Sequence, residues 1–193
     1  TYLAHGAGLV TMPRFDLESL LRHIHTHKTK RLFVAPPVAI ALAKHPMVAD
    51  FDLSALKVVM SAAAPLGADV AGAVENRLGC TVIQGYGMTE LSPLTHVVPH
   101  DRPKPGAVGV SAPNTSVRIV NPETLEDSPD GEEGEVWISG PQVMLGYLNR
   151  PDATSAMMHG SWLRTGDLGV IDDDGYLHIR DRLKELIKVK GFQ

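Results

Sequence analysis

Cys80-Thr81-Val82-Ile83-Gln84-Gly85-Tyr86-Gly87-Met88-Thr89-Glu90 joins a short apolar run to a glycine-bracketed tyrosine, then a hydroxyl and a carboxylate. The run Cys80 to Ile83 reads as a buried strand, and glycines at its carboxyl end let the backbone approach a ligand closely. Tyr86 offers a face for stacking, Thr89 can donate to a phosphate oxygen, and Glu90 can hold a hard cation such as Mg²⁺. On these residues two readings stay open: a nucleotide-phosphate site, or a glycine-rich turn with a polar rim.

Upstream, strands and helices alternate. Gly8 to Met12 reads as a short strand closed by Pro13, and Asp16 as the N-cap of a helix whose Leu17, Leu20, Leu21 and Ile24 share a face. That helix is expected to end near Thr26 to Thr29. Arg31 to Ala35 follows as a strand stopped by Pro36-Pro37, and Val38 to Lys44 as a short helix. Lys57 to Met60 gives a third strand, about Ala68 to Leu78 a helix, and Cys80 to Ile83 a fourth strand. This rhythm predicts βαβ units and a parallel sheet. In such sheets ligands bind beyond the carboxyl ends of strands, where Ser61 to Pro65 and Gln84 to Glu90 both fall.

The texture changes near Pro103 to Gly109, after which helical periodicity is lost. Val117 to Val120 and Glu135 to Ile138 alternate, separated by a long acidic loop, Asn121 to Gly134. Leu168 to Ile171 and Tyr176 to Ile179 flank Asp172-Asp173-Asp174-Gly175, a hairpin pattern. The second half is predicted to be a small β-barrel or sandwich. The α/β part is expected over 1–106 and the β-barrel part over 107–180.

The totals narrow the class. The 193 residues are 44% hydrophobic and 21% charged, enough for one domain or two small ones. A net charge of −4 and a pI near 6.1 argue against a nucleic-acid binder. A single cysteine, Cys80, excludes an intrachain disulfide and suits a reducing, cytoplasmic setting, although a cysteine-poor secreted protein would look the same. No apolar run approaches a membrane span, and no basic-then-apolar leader follows Thr1. Both ends look cut, so a longer parent protein is expected.

Other features have plain explanations beside sharper ones. Asp167, after Gly166 at a strand start, could accept hydrogen bonds from a ribose diol, although a turn aspartate is the commoner use of Gly-Asp. Lys184, Lys188 and Lys190 alternate with apolar residues and could form a cationic wall for phosphate, or a solvated face. His23 and His27 share a helical face but lack the further ligands of a metal site. Asp172 to Gly175 starts like a calcium loop and lacks the remainder. Cys80 reads as core.

Taken in order, these signals resemble the adenylate-forming enzymes, most closely the 4-coumarate–CoA ligase type of acyl-CoA synthetase. The likeness covers essentially the whole chain. It is carried by Thr11 to Asp16, Phe33 to Pro37, Ser61 to Gly67, Gln84 to Glu90, Arg164 to Asp167 and Asp181 to Gln193. The resemblance implies an N-terminal domain in which an α/β part precedes a β-barrel part, with 181–193 as the hinge and start of a C-terminal domain. It further implies ATP-dependent activation of a carboxylic acid as an acyl-adenylate, then transfer to coenzyme A. Gln84, Gly85 and Tyr86 would lie along the adenine and adenylate, Thr89 would contact the α-phosphate, and Glu90 would hold Mg²⁺. Asp167 and Arg182 would bind the ribose hydroxyls. Lys184 would fall at the interdomain hinge, Lys188 and Gln193 near the adenylate, and Lys190 and Gly191 at coenzyme A. Ala63, Gly87, Pro93, Leu94 and Val97 would line the acyl pocket.

Two departures qualify the likeness. The family's S-G-A-A-P is here Ser61-Ala62-Ala63-Ala64-Pro65, and a methyl at Ala62 would narrow the pocket or shift the loop. The phosphate-binding loop is expected before Thr1 and the adenylating lysine after Gln193, so this chain alone is expected to be inactive. An aryl or aryl-propenoic acid is the favoured substrate. A medium- or long-chain fatty acyl-CoA ligase or a luciferase-like relative is the runner-up, and a carrier-loading adenylation domain fits less well. From a different class, a non-catalytic nucleotide-binding remnant would be expected to have lost some of Thr89, Glu90, Asp167 and Arg182.

Overall fold

In a computed structural model, residues 6–183 are described. They form two compact units that meet in sequence after Val82.

The first unit is α/β. Helix α1 (Leu17–His27) begins where the Asp16 carboxylate accepts the Ser19 N–H at 2.8 Å, and ends at Lys28 in the left-handed conformation, φ 48°. Its Leu21 and Ile24 are buried. Strand β1 (Arg31–Val34) pairs in parallel with β2 (Val58–Ser61), with Leu32 opposite Val59. The two prolines after β1 do not merely stop a strand. They open helix α2 (Pro36–Lys44), where a missing N–H is harmless in the first turn. Helix α3 (Ala68–Leu78) ends at Gly79, φ 64°. Leu21, Ile24, Leu42, Leu56, Val59 and Val74 are fully buried in this unit's core. The half-buried Cys80 packs against that core just before a strand begins, and burial with the nearby Glu75 charge pushes its thiol up to about 11.

Two sequence expectations fail here. Gly8 to Met12 is not a strand, and Leu9 and Val10 are exposed. A strand needs a hydrogen-bonding neighbour, and among the described residues this stretch has none. Strand β3 (Thr81–Gly87) also does not stop at Ile83: it runs on through Gln84-Gly85-Tyr86-Gly87.

The second unit is antiparallel. Strand β3 pairs with β4 (Leu94–Val97), which pairs with β5 (Val110–Ser111). A curled sheet comes next, in the order β10-β9-β7-β6, comprising β6 (Ser116–Val120), β7 (Gly134–Ser139), β9 (Trp162–Ile171) and β10 (Leu177–Arg182). Helix α4 (Pro151–Met157), unexpected from periodicity, precedes β8 (Met158–His159), which pairs with β9. The predicted hairpin at Asp172 to Gly175 joins β9 to β10. There the Asp172 carboxylate accepts the N–H groups of Asp174 and Tyr176, and Nε2 of His178 lies 2.7 Å from it. Leu91, Val136, Ile138, Leu163 and Leu177 are fully buried in this unit's core. No helix of the described residues is long and apolar enough to cross a membrane.

Candidate functional site

The site in the second unit is built around a bulge in β9. Between the pairs Glu135 with Leu168 and Trp137 with Arg164, β7 advances two residues while β9 advances four. Such bulges re-aim side chains and leave backbone groups unpaired. Gly166 makes this one possible, at φ 72°. Side chains then satisfy the freed N–H groups: Glu135 Oε1 accepts from Gly166 at 3.2 Å, and Thr165 Oγ1 accepts from Asp167 at 3.1 Å. Thr165 spends its own proton on the Val136 carbonyl, 2.7 Å away. Glu135, only 2% exposed, also accepts from Trp137 Nε1 at 2.8 Å and from the Arg164 guanidinium at 3.0 Å. Asp167 therefore stands inside β9, not at a strand start as expected.

Asp167 joins two other expected site residues. Its Oδ2 accepts the Tyr86 phenol at 2.7 Å and its Oδ1 accepts Nε of Arg182, also at 2.7 Å. Arg182 lies directly opposite it in the β9–β10 register. Asp167 is 5% exposed, while the Arg182 side chain is about half exposed and reaches solvent. Burial, and after it the Asp167 charge, raises the Tyr86 phenol well above its ordinary value, so Tyr86 is a neutral donor.

Behind Tyr86 lies a polar chain that the sequence did not reveal. His96 on β4 is 1% exposed, with its ring 6.1 Å from that of Tyr86. Thr95 Oγ1 donates to the Tyr86 carbonyl at 3.3 Å, so it accepts from His96 Nδ1 at 3.1 Å. His96 Nε2 is then an acceptor for the Ser111 hydroxyl at 3.1 Å. Burial pushes His96 down to about 4, and the ring is neutral. Gly87 is required for a different reason: a Cβ there would lie 1.8 Å from the Pro93 carbonyl oxygen.

Thr89 and Glu90 sit one step beyond β3, in a 3₁₀ turn, Thr89–Leu91. Thr89 is exposed and Glu90 half-buried. The Tyr147 phenol donates to Glu90 Oε1 at 2.6 Å, and the Met144 N–H donates to the Glu90 carbonyl at 2.8 Å. That hydrogen bond, then burial, pushes Tyr147 up to about 12. Nothing in local periodicity links Tyr147 to a glutamate 57 residues earlier.

The remaining expected residues divide clearly. Gln84 and Gly85 lie in β3, and Leu94 and Val97 in β4 with Pro93 just before it. Gly85 pairs with Val97, and Gly87 with Leu94. Ala63 is in the first unit, in the turn after β2, at φ 74°. The departure at Ala62 does not carry the positive φ, so its methyl adds no backbone strain. Lys184, Lys188, Lys190, Gly191 and Gln193 lie outside the described residues. Among the described residues, no group of three or more His, Cys, Asp or Glu is placed to hold a metal.

Comparison with known proteins gives this geometry its context. A family model described as "AMP-binding enzyme" matches residues 1–148. A protein of Dictyostelium discoideum named "Probable 4-coumarate--CoA ligase 1" is 47% identical over 191 residues, covering 97% of this chain and 35% of the relative. The chain spans about a third of the length of this and of most other curated relatives it matches. A mutant amide bond synthetase from Marinactinospora thermotolerans superposes with a TM-score of 0.88 at 34% identity, over 98% of this chain and 39% of that one. The anthranilate CoA ligase AuaEII, solved with anthranoyl-AMP, gives 0.87 at 27% identity, over 97% and 36%. The α/β unit with its parallel strands and the curled antiparallel unit are the architecture of those enzymes' N-terminal domain. On the family match and these relatives together, the chain belongs to the AMP-binding, adenylate-forming enzymes.

Proposed function

We propose that this chain carries the nucleotide-binding part of an ATP-dependent acid–CoA ligase, whose favoured substrate is a 4-coumarate-like aryl acid. The observation that carries the reading is the joining of Tyr86, Asp167 and Arg182, three residues the family resemblance assigns to the adenosine end of the site. Asp167 keeps both oxygens engaged and is charge-paired, so it presents fixed acceptors to a ribose diol. Arg182 reaches from the same point into solvent. Gln84, Gly85 and Tyr86 would run beside the adenine, and Thr89 would donate to the α-phosphate. Coumarate is favoured because the curated relatives carry 4-coumarate–CoA ligase names, and the anthranoyl-AMP held by AuaEII is an aryl acyl-adenylate.

Glu90 suits Mg²⁺ by its donor chemistry. Mg²⁺ is held through one or two carboxylates together with substrate phosphates and water, and does not need a cluster of protein ligands. Glu90, half-buried and next in sequence to Thr89, offers such a carboxylate. When bound, the ion would neutralise charge on the phosphate oxygens. The chain's own residues align acid and nucleotide, and proximity and electrostatic preorganisation are what adenylation demands. Coenzyme A at Lys190 and Gly191, the hinge at Lys184, the adenylate contacts of Lys188 and Gln193, and the acyl pocket of Ala63, Gly87, Pro93, Leu94 and Val97 belong to the same reading. So do the division near residues 106 and 180, a cytoplasmic setting, and dependence on the rest of the full-length protein for turnover.

The test is pyrophosphate release by the full-length protein with a panel of acids and coenzyme A. Coumarate and ferulate are expected to outperform medium-chain fatty acids. The reverse order would replace the substrate assignment, and no release with any acid would replace the ligase assignment.

A further inference from the structure

We infer that Tyr147 is a positioning residue for the cation-holding carboxylate: it fixes Glu90 through Oε1 and leaves Oε2 to the metal. This rests on the reading of Glu90 as the Mg²⁺ ligand. A glutamate has three side-chain torsions, and a half-buried one on a single 3₁₀ turn has little packing to select among its rotamers. Here the selection comes from the loop that follows β7. Its Met144 N–H takes the Glu90 carbonyl, and its Tyr147 phenol takes the carboxylate, so backbone and side chain are gripped together.

Tyr147 is itself held. Its N–H donates to Thr154 Oγ1 at 2.9 Å, and Thr154 donates to the Arg150 carbonyl at 3.0 Å. The phenol oxygen also lies 2.9 Å from Met157 Sδ. At Gly146, φ 150°, a Cβ would come within 2.9 Å of Thr154 Oγ1, so the loop closes onto α4 without room for a side chain. A neutral phenol suits this task. It donates to one carboxylate oxygen without bringing a positive charge that would compete with a cation at the other. Partners of this kind are what orient a metal's direct ligands.

The test uses the full-length protein with α,β-methylene-ATP, following free Mn²⁺ by electron paramagnetic resonance. Tyr147→Phe is expected to weaken Mn²⁺ binding about tenfold with no change in melting temperature. In a Glu90→Gln background the same substitution is expected to add nothing. Unchanged Mn²⁺ affinity in Tyr147→Phe, or an equal loss in both backgrounds, overturns the inference. If Glu90→Gln alone leaves Mn²⁺ affinity intact, the failure lies in the metal assignment of Glu90.

Discussion

Asp167 is buried in a sheet whose register sets Arg182 opposite it, whereas Glu90 sits on one turn and is held by a phenol from a distant loop. Both are carboxylates with a tyrosine donor at closely similar distance, 2.7 and 2.6 Å. They differ in what stands behind the donor. Tyr86 belongs to β3 and is backed by Thr95, His96 and Ser111, so moving it means unpairing strands. Tyr147 is backed by one threonine and one methionine on a short helix with no buried residues. The difference teaches that one fold can hold one carboxylate stiffly and another less so, and on the proposed reading these are the stiff and the adjustable end of one site. Adenylation leaves the nucleoside covalently unchanged, while bonding and charge at the phosphate change during phosphoryl transfer.

If that contrast holds, Asp167→Ala should have the largest effect. It strands a buried phenol and unpairs a guanidinium, with a stability loss of roughly 2–3 kcal/mol by denaturant unfolding. Nucleotide affinity measured by calorimetry should fall by at least about a hundredfold, near 2.8 kcal/mol. Were Tyr147→Phe to destabilise the protein as much as Asp167→Ala, the two ends would be equally rigid and the contrast would collapse.

The His96 chain gives the next effect, read through pH. A histidine whose folded pKa is depressed to about 4, from 6.5, stabilises the native state above 6.5 and progressively less as pH falls toward 4. The difference amounts to up to about 2.5 kcal/mol between pH 7.5 and 4.5. A His96→Gln variant removes that titration while retaining polar groups. Denaturation midpoints that fell in parallel for both proteins over this range would show that the stiff end draws no support from His96.

The smallest effect belongs to Tyr86→Phe, because Arg182 still holds Asp167. About 1 kcal/mol of stability and less than tenfold in nucleotide affinity should be lost. A loss as large as that of Asp167→Ala would assign the stiffness to the phenol and not to the strand register.

Much of the fold could be read from the chain because local signals agreed with it. Asp16 capping an amphipathic run gave α1, and the helix expected over about Ala68 to Leu78 matches α3 at both bounds. What escaped depended on partners far away in sequence. Gly8 to Met12 has a strand's composition but no neighbour among the described residues to pair with. Gly85 and Gly87 look like turn glycines, yet Gly87 is needed because β4 returns against it, an approach invisible before Leu94–Val97 is placed. Helix α4 buries none of its residues, so it had no apolar period to display, and only Pro151 at its start could have marked it. The site divides in the same way. Asp167, Arg182 and Tyr86 could be named from motif order, while the contacts of Glu135, Thr165, His96 and Tyr147 around the proposed site are not encoded by it.

Cys80 has a practical consequence for bench chemistry. With its thiol near 11, only about one molecule in ten thousand is thiolate at pH 7, roughly three hundredfold below an ordinary exposed cysteine. Among these 193 residues it is the sole native thiol. A cysteine introduced at Leu148, which is 88% exposed beside Tyr147, should therefore take a maleimide fluorophore far faster than Cys80. Within these 193 residues, that would give a single labelling position beside Tyr147 without first removing Cys80.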